Sequence, residues 1–88
     1  MNKCELLEAF AEIATTAYDD GHQYRDISDP NNMRSALEFY NKHLGFLGNR
    51  ERQELLIVWE HACDDPRDTK VFLEAVSILK EEYRQEVS

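Results

Sequence analysis

Three glycines and two prolines, at positions 21, 45, 48, 30 and 66, divide this chain into four segments. Within each segment apolar residues return at every third or fourth position, the spacing that places them on one face of an α-helix. Glycine and proline interrupt regular helices, because glycine leaves the backbone unrestrained and proline lacks the N–H that a helix needs. We therefore expect four separate helices of roughly 15–20 residues rather than one long helix.

The expected helices span about 3–19, 30–44, 50–63 and 66–86. Asp29-Pro30 and Asp65-Pro66 are both typical of a capping residue followed by a first-turn proline, with Asp68 or Thr69 as a later alternative start. Asn2 and Asn49 are the expected caps of the other two helices. The predicted core faces are Leu6, Leu7, Phe10, Ile13, Ala14, Ala17 and Tyr18; Met33, Ala36, Leu37, Tyr40 and Leu44; Leu55, Leu56, Val58, Trp59, Ala62 and Cys63; and Val71, Phe72, Ala75, Val76, Ile78, Leu79 and Tyr83.

The run LLIVW, residues 55–59, is also compatible with a buried β-strand. The wider pattern favours a helix, because the apolar residues of 55–63 fall within one arc of roughly 160° and only Ile57 points away. No second segment is available to pair with such a strand, whose backbone groups would then lack partners.

A chain of 88 residues is long enough for a single domain with a small core. Residues 1–88 are therefore expected to form one all-α domain, a small four-helix bundle. Short connectors at 45–49 and 64–68 favour neighbouring antiparallel helices. The alternative is a three-helix core with a loosely packed N-terminal helix.

The formal charge of −8 restricts the kind of partner that this protein binds. It argues against direct nucleic-acid binding and against an anionic membrane surface, both of which need clustered Lys and Arg. It favours encounter with a basic protein surface. No apolar run approaches the length of a membrane span, and the glutamates near the N-terminus are unlike a signal peptide. With only Cys4 and Cys63 and no metal-binding spacing, we expect a cytoplasmic protein with reduced thiols.

The polar stretch 18–32, YDDGHQYRDISDPNN, resembles a binding loop in composition. Asp19, Asp20, His22, Asp26 and Asp29 fit neither the calcium-loop pattern nor the ligand spacing of a zinc site. Aspartate, asparagine, glycine and proline are also the residues that build turns and helix caps. We interpret the stretch as a connector that packs against the bundle through Tyr24 and Ile27.

Catalytic signatures are weak, and we expect a protein that is not an enzyme and has no cofactor or metal. Glu51, Glu54, Asp65 and Asp68 are the only carboxylates that suggest a Mg²⁺-dependent nucleotide hydrolase. Two of them lie in a helix cap and Glu54 points away from the core arc. The chain contains no phosphate-binding glycine loop and no nucleophile elbow.

The first helix carries the strongest candidate for a binding surface. Glu5, Glu8, Glu12 and Asp19 form an acidic stripe on the side away from the Leu6 face. Glu8 and Glu12 are four residues apart, where like charges repel by a few tenths of a kcal/mol and a lysine would attract. A repulsive pair of like charges that no nearby cation compensates within the helix indicates a functional surface.

Phe39, Ile57 and Leu73 are apolar residues that fall outside the predicted core faces. Together with the stripe they predict a protein-binding module, an inhibitor or accessory protein that occupies a basic, nucleic-acid-binding surface of a partner by imitating phosphate charge. The alternative is a structural or regulatory homodimer that buries these three residues. Tyr24, Trp59 and Tyr83 are further candidates for either interface.

Overall fold

The computed structural model describes residues 2–15 and 27–87, and in these residues every regular element is helical. The elements are α1 (Lys3–Ala14), α2 (Pro30–His43), α3 (Asn49–Asp64), a single 3-10 turn (Pro66–Asp68) and α4 (Thr69–Val87). The all-α four-helix bundle expected from the sequence is confirmed. None of the described helices combines the length and the apolar character that crossing a bilayer requires.

The starts of the helices follow local capping chemistry. The Asn2 side chain accepts a hydrogen bond from the backbone N–H of Glu5, and the Asp29 carboxylate accepts from Asn31 and Asn32. Asp65 caps the 3-10 turn, so the main helix starts at Thr69, the later of the predicted alternatives. The expected cap at Asn49 is wrong, because α3 already includes this residue and Gly48 precedes it without a side-chain bond.

The first helix ends earlier than predicted. Its last residue is Ala14, whereas the apolar pattern suggested about residue 19. Thr15 is the C-cap, where the backbone leaves helical values (φ −116°, ψ 16°), and its hydroxyl and its backbone N–H both donate to the carbonyl oxygen of Ala11. The predicted contributions of Ala17 and Tyr18 lie outside the described residues.

One aromatic side chain of α1 joins all four helices. Phe10 is fully buried, and its ring lies 5.8 Å from Tyr40 of α2, 5.1 Å from Trp59 of α3 and 5.8 Å from Phe72 of α4, measured between ring centroids. Such tilted and edge-on pairs each add about 0.5–1.5 kcal/mol to the gain from burial alone. The alternative of a loosely packed N-terminal helix is therefore wrong for residues 3–14.

The four helices do not pack with equal closeness. α1 packs closely against both α4 and α2, and α3 packs against α4. The described parts of α2 and α3 make few close backbone contacts, although only five residues connect them. The rings of Tyr40 and Trp59, 6.4 Å apart, bridge the two helices and hold their backbones apart. The expectation that short connectors join neighbouring helices is confirmed as close packing for α3 and α4, whereas α2 and α3 adjoin mainly through their side chains.

The core faces are narrower than the sequence suggested. Among the predicted core residues, Met33, Leu37, Val71 and Ile78 are exposed, at 38%, 48%, 51% and 61%. The cause is geometric: α2 has one closely packed neighbour rather than two, and the outer side of α4 has none among the described helices. The core consists of Leu7, Phe10, Ala11, Ala14, Ile27, Ala36, Tyr40, Leu44, Leu47, Leu55, Trp59, Ala62, Phe72, Val76, Leu79 and Tyr83.

The connector between α1 and α2 is described only from residue 27 onward. Ile27 is 1% exposed, so its predicted packing against the bundle is confirmed, and its carbonyl oxygen accepts a hydrogen bond from the Cys63 thiol at 3.4 Å. Asp19, Asp20, His22, Tyr24 and Asp26 lie outside the described residues.

Candidate functional site

The glutamates of α1 do not stand directly opposite the core. The buried face of this helix centres on Leu7, Phe10 and Ala14, with Leu6 only half-buried. Because the core face is rotated relative to the prediction, Glu8 lies at its border next to α4. All three described glutamates, at positions 5, 8 and 12, are exposed.

A lysine of α4 compensates part of this charge. Lys80 Nζ lies 3.9 Å from the carboxylate of Glu8, whose side chain remains 58% exposed. Helices α1 and α4 are close enough here for this pair to form, because the Cys4 thiol of α1 donates a hydrogen bond to the backbone carbonyl oxygen of Lys80 at 3.2 Å. Sequence spacing within one helix gave no sign of this pair, since 72 residues separate its members (80 minus 8). Asp19, the fourth member of the predicted stripe, lies outside the described residues.

Glu8 and Glu12 border a shallow surface depression between α1 and α4, which we name the acidic furrow. It has a volume of about 220 Å³, and Leu73 of α4 lies on its opposite side. Two predicted binding residues of α1 and one of α4 therefore meet at one place. The complete lining is Glu8, Ala11, Glu12, Thr15, Leu73, Val76, Ser77 and Lys80.

The outer surface of α4 extends the furrow with apolar area. Leu73 and Ser77 border both the furrow and a second shallow depression, which Ile78, Lys70 and Glu74 complete. Leu73 is 40% exposed and Ile78 is 61% exposed. Apolar side chains next to carboxylates are a composition suited to contact with another protein.

The other two predicted binding residues lie elsewhere. Phe39 is half-buried on α2, where its ring lies 4.6 Å from that of His43 in a tilted arrangement, beside Ile13 of α1. Ile57 is 54% exposed on α3 and lines neither the furrow nor its extension. The structure thus brings Leu73 together with the acidic residues but does not collect Phe39, Ile57 and Leu73 into one patch.

The wide α2–α3 spacing leaves an apolar depression that the sequence did not predict, which we name the α2–α3 groove. It has a volume of about 440 Å³ and is lined by Met33, Leu37, Leu56, Trp59, Glu60, Cys63 and Asp64. Met33 and Leu37 follow the periodicity of the core residues, so the sequence alone predicts that they are buried. The available sequence signal for the wider spacing is the bulk of Tyr40 and Trp59, whose rings lie 6.4 Å apart between α2 and α3.

Local electrostatics differ along this groove. Burial raises the pKa of the Cys63 thiol, and the neighbouring carboxylates of Asp64 and Glu60 raise it further. Burial also raises the pKa of the Tyr40 phenol, an effect that the Arg52 guanidinium partly offsets. The Cys63 end of the groove is therefore acidic, and Tyr40 and Arg52 lie outside its lining.

Tyr83, a further candidate for an interface, instead belongs to the core. Its side chain is 6% exposed, and its ring lies 5.2 Å from that of Phe46. The ammonium group of Lys3 covers both rings, at 5.2 Å from Tyr83 and 5.6 Å from Phe46. A cation over two aromatic rings closes this end of the bundle.

Two of the four carboxylates that suggest a Mg²⁺ site, Glu54 and Asp65, are engaged by arginines. Arg50 lies 3.5 Å from Glu54, and Arg67 forms two side-chain hydrogen bonds to Asp65, which lower the pKa of that carboxyl. Within residues 2–15 and 27–84, no three His, Cys, Asp or Glu side chains are grouped closely enough to hold a metal ion.

In comparisons with models of protein families, with curated proteins and with solved structures, nothing matches this chain. Among the described residues, the acidic furrow with its α4 extension and the α2–α3 groove both combine exposed apolar side chains with carboxylates. They share no lining residue.

Proposed function

We propose that this protein is an acidic protein-binding module whose furrow occupies a basic surface of a partner protein. The observation that carries the proposal is the arrangement of Glu8 and Glu12 around the same depression as the exposed Leu73. Apolar contact at such a surface supplies affinity, and the carboxylates orient the partner and accelerate encounter.

The overall charge supports the same kind of partner. A net charge of −8 attracts a basic surface over roughly one Debye length, about 8 Å at physiological salt, and repels nucleic acid and anionic lipid. Surfaces that bind nucleic acid carry clustered lysines and arginines. A partner of this class would meet carboxylates where it otherwise meets phosphates, so binding would inhibit its access to nucleic acid.

Lys80 does not block such binding. Exposed ion pairs contribute about 0–1 kcal/mol, and Glu8 keeps more than half of its side-chain surface in solvent beside this lysine. A partner arginine offers a bidentate contact that the Lys80 ammonium group at 3.9 Å does not make. Exchange of one cation for the other is therefore favourable at the furrow.

The test uses a synthetic basic peptide with interspersed leucines as the model partner surface. We expect its affinity to fall steeply with salt, and we expect the double variant Glu8→Lys/Glu12→Lys to lose about ten-fold or more in Kd. The matched control is Glu38→Lys/Glu54→Lys, which changes the net charge equally at two exposed positions away from the furrow. This control should lose less than about three-fold, with helicity unchanged in both variants.

Equal losses in the two double variants would show that only net charge matters, and the furrow would then have no specific role. Capture of partners from the native host at low and at high salt extends the test. A captured protein supports the proposal only if Glu8→Lys/Glu12→Lys abolishes its binding and if double-stranded DNA competes with the wild-type protein for it.

A further inference from the structure

We infer that the α2–α3 groove is a second, independent docking site, and that it accepts an amphipathic helix of a partner protein with basic residues at one end. This goes beyond the proposed function, because the groove and the furrow are built from different helices and share no lining residue. One small chain would thereby contact two partners, or two parts of one partner.

The size of the groove fits a helix. Leu56 and Cys63, both on its α3 side, are seven residues apart, which is about 10 Å or two turns of α-helix. Met33 and Leu37, one turn apart on α2, form the opposite side and are 38% and 48% exposed. A partner helix of two to three turns with apolar residues at i, i+3 or i+4, and i+7 would place its anchors between these two rows.

Charge determines the chemistry and the direction of this helix. Glu60 and Asp64 are the charged residues of the lining, and within the described residues neither lysine nor arginine lines the groove. Asp64 is also the last residue of α3, where the helix dipole adds negative potential. The partner's lysines and arginines therefore lie at the Asp64 end.

A second copy of this chain is the less favourable occupant. A symmetric dimer through the groove would join two surfaces whose charged lining residues, among those described, are all acidic. Each protomer carries a net charge of −8, so the two would repel before contact. A basic helix is instead attracted to the groove, since its positive charge promotes encounter with Glu60 and Asp64.

Trp59 makes the proposal directly measurable. It is the only tryptophan of the chain and it lines the groove, so its fluorescence reports on occupancy. The probe is a synthetic tryptophan-free helical peptide of about 18 residues with leucine anchors and a Lys/Arg-rich end. We expect a saturable change in Trp59 emission with a Kd of about 1–100 μM at low salt.

Two matched substitutions separate the groove from the furrow. Leu37→Lys places a charge in the groove and Leu73→Lys places one beside the furrow, and both positions are exposed enough for the fold to persist. Leu37→Lys should weaken binding of the helical peptide about ten-fold or more, whereas Leu73→Lys should change it less than about three-fold. For the peptide of the furrow test the order should be reversed, so either proposal can fail without the other.

A charge exchange tests the direction. Glu60→Lys/Asp64→Lys should weaken the basic-ended peptide about ten-fold, and a peptide with an acidic end should recover at least part of the loss. Equal binding of an uncharged-end peptide to the wild type would overturn the charge argument. The inference would also be overturned by an unresponsive Trp59 spectrum, by equal losses in Leu37→Lys and Leu73→Lys, or by a dimer in sedimentation that Leu37→Lys dissociates.

Discussion

The α1–α4 side and the α2–α3 side of this bundle are built from similar amphipathic helices but pack in opposite ways. On the first side the two backbones lie close together, and the Cys4 thiol reaches the carbonyl oxygen of Lys80 at 3.2 Å. On the second side the rings of Tyr40 and Trp59 keep the helices apart. The closely packed helices α1 and α4 leave only a shallow furrow between them, whereas α2 and α3 leave a wider apolar groove.

This difference shows what limits the core of a short chain. Phe10 contacts an aromatic ring from each of the other three helices, so the centre of the bundle is filled from α1. Helices α2 and α3 then share less of the core with each other, and apolar residues of α2 remain at the surface. An apolar residue with helical periodicity therefore belongs either to the core or to a binding groove, according to the distance of the next helix.

The largest change in stability should come from removing the aromatic ring at the centre of the bundle. Phe10→Ala deletes a fully buried side chain and its three ring contacts, and we expect a loss of about 3–5 kcal/mol in the free energy of unfolding. The matched control Phe39→Ala removes the same atoms from a half-buried position on α2 and should cost about 1 kcal/mol. Urea denaturation followed by circular dichroism measures both. Similar losses in the two variants would contradict the central role of Phe10.

A smaller effect should appear at the start of α2, the helix with a single closely packed neighbour. Asp29→Ala removes the carboxylate that accepts from the N–H groups of Asn31 and Asn32, and we expect a loss of about 1 kcal/mol. Asp29→Asn keeps a side-chain acceptor, so its free energy of unfolding should fall by at most a few tenths of a kcal/mol.

Hydrogen exchange shows where the loss is felt. Amides of α2 should exchange faster than those of α4 already in the wild type, and Asp29→Ala should widen the gap. Uniform acceleration of all four helices would instead mean that the bundle opens only as a whole, and the contrast between its two sides would then have no dynamic consequence.

The sequence predicted the elements better than their arrangement. The caps at Asn2, Asp29 and Asp65 are local, because each depends on residues within three positions along the chain. Those at Asn2 and Asp29 are confirmed, whereas Asp65 caps the 3-10 turn and not the fourth helix itself. The faces of α3 were also predicted correctly, since Leu55, Trp59 and Ala62 are buried and Ile57 is exposed. Local periodicity determines which side of a helix is apolar.

The contacts between helices could not be predicted from the sequence, because they depend on which helices are neighbours in the fold. The Glu8–Lys80 contact and the Phe10 ring cluster join residues from different helices, and no spacing within a helix encodes them. The exposure of Leu37 has the same origin, because its periodicity matches that of the buried Tyr40 three residues later. The furrow was predicted in part, through Glu8, Glu12 and Leu73, and the groove was not predicted.

A still smaller change in stability should follow from removing the cation beside the furrow. Lys80→Gln deletes the ion pair with Glu8 and should alter the free energy of unfolding by less than about 1 kcal/mol. The same change frees the Glu8 carboxylate and should strengthen binding of the furrow peptide about two- to three-fold. Arg84→Gln removes the exposed pair with Glu81 and serves as the matched control, with no gain in affinity. A gain in both variants would point to net charge rather than to the furrow.

The smallest effect we expect is an alkaline loss of stability on the α2–α3 side. Burial raises the pKa of the Cys63 thiol from 9.0 and that of the Tyr40 phenol from 10.0, so the folded state holds both protons more tightly than the unfolded state does. The stability that these protons contribute is complete below pH 9.0, the ordinary thiol pKa, and is lost as the pH rises through the two raised pKa values. Thermal unfolding of the double variant Cys63→Ala/Tyr40→Phe should therefore show a shallower alkaline decline than the wild type, while below pH 9.0 the two curves run parallel. Parallel curves through the alkaline range as well would mean that these groups titrate alike in both states, and that the groove side is no more protected from water than the unfolded chain.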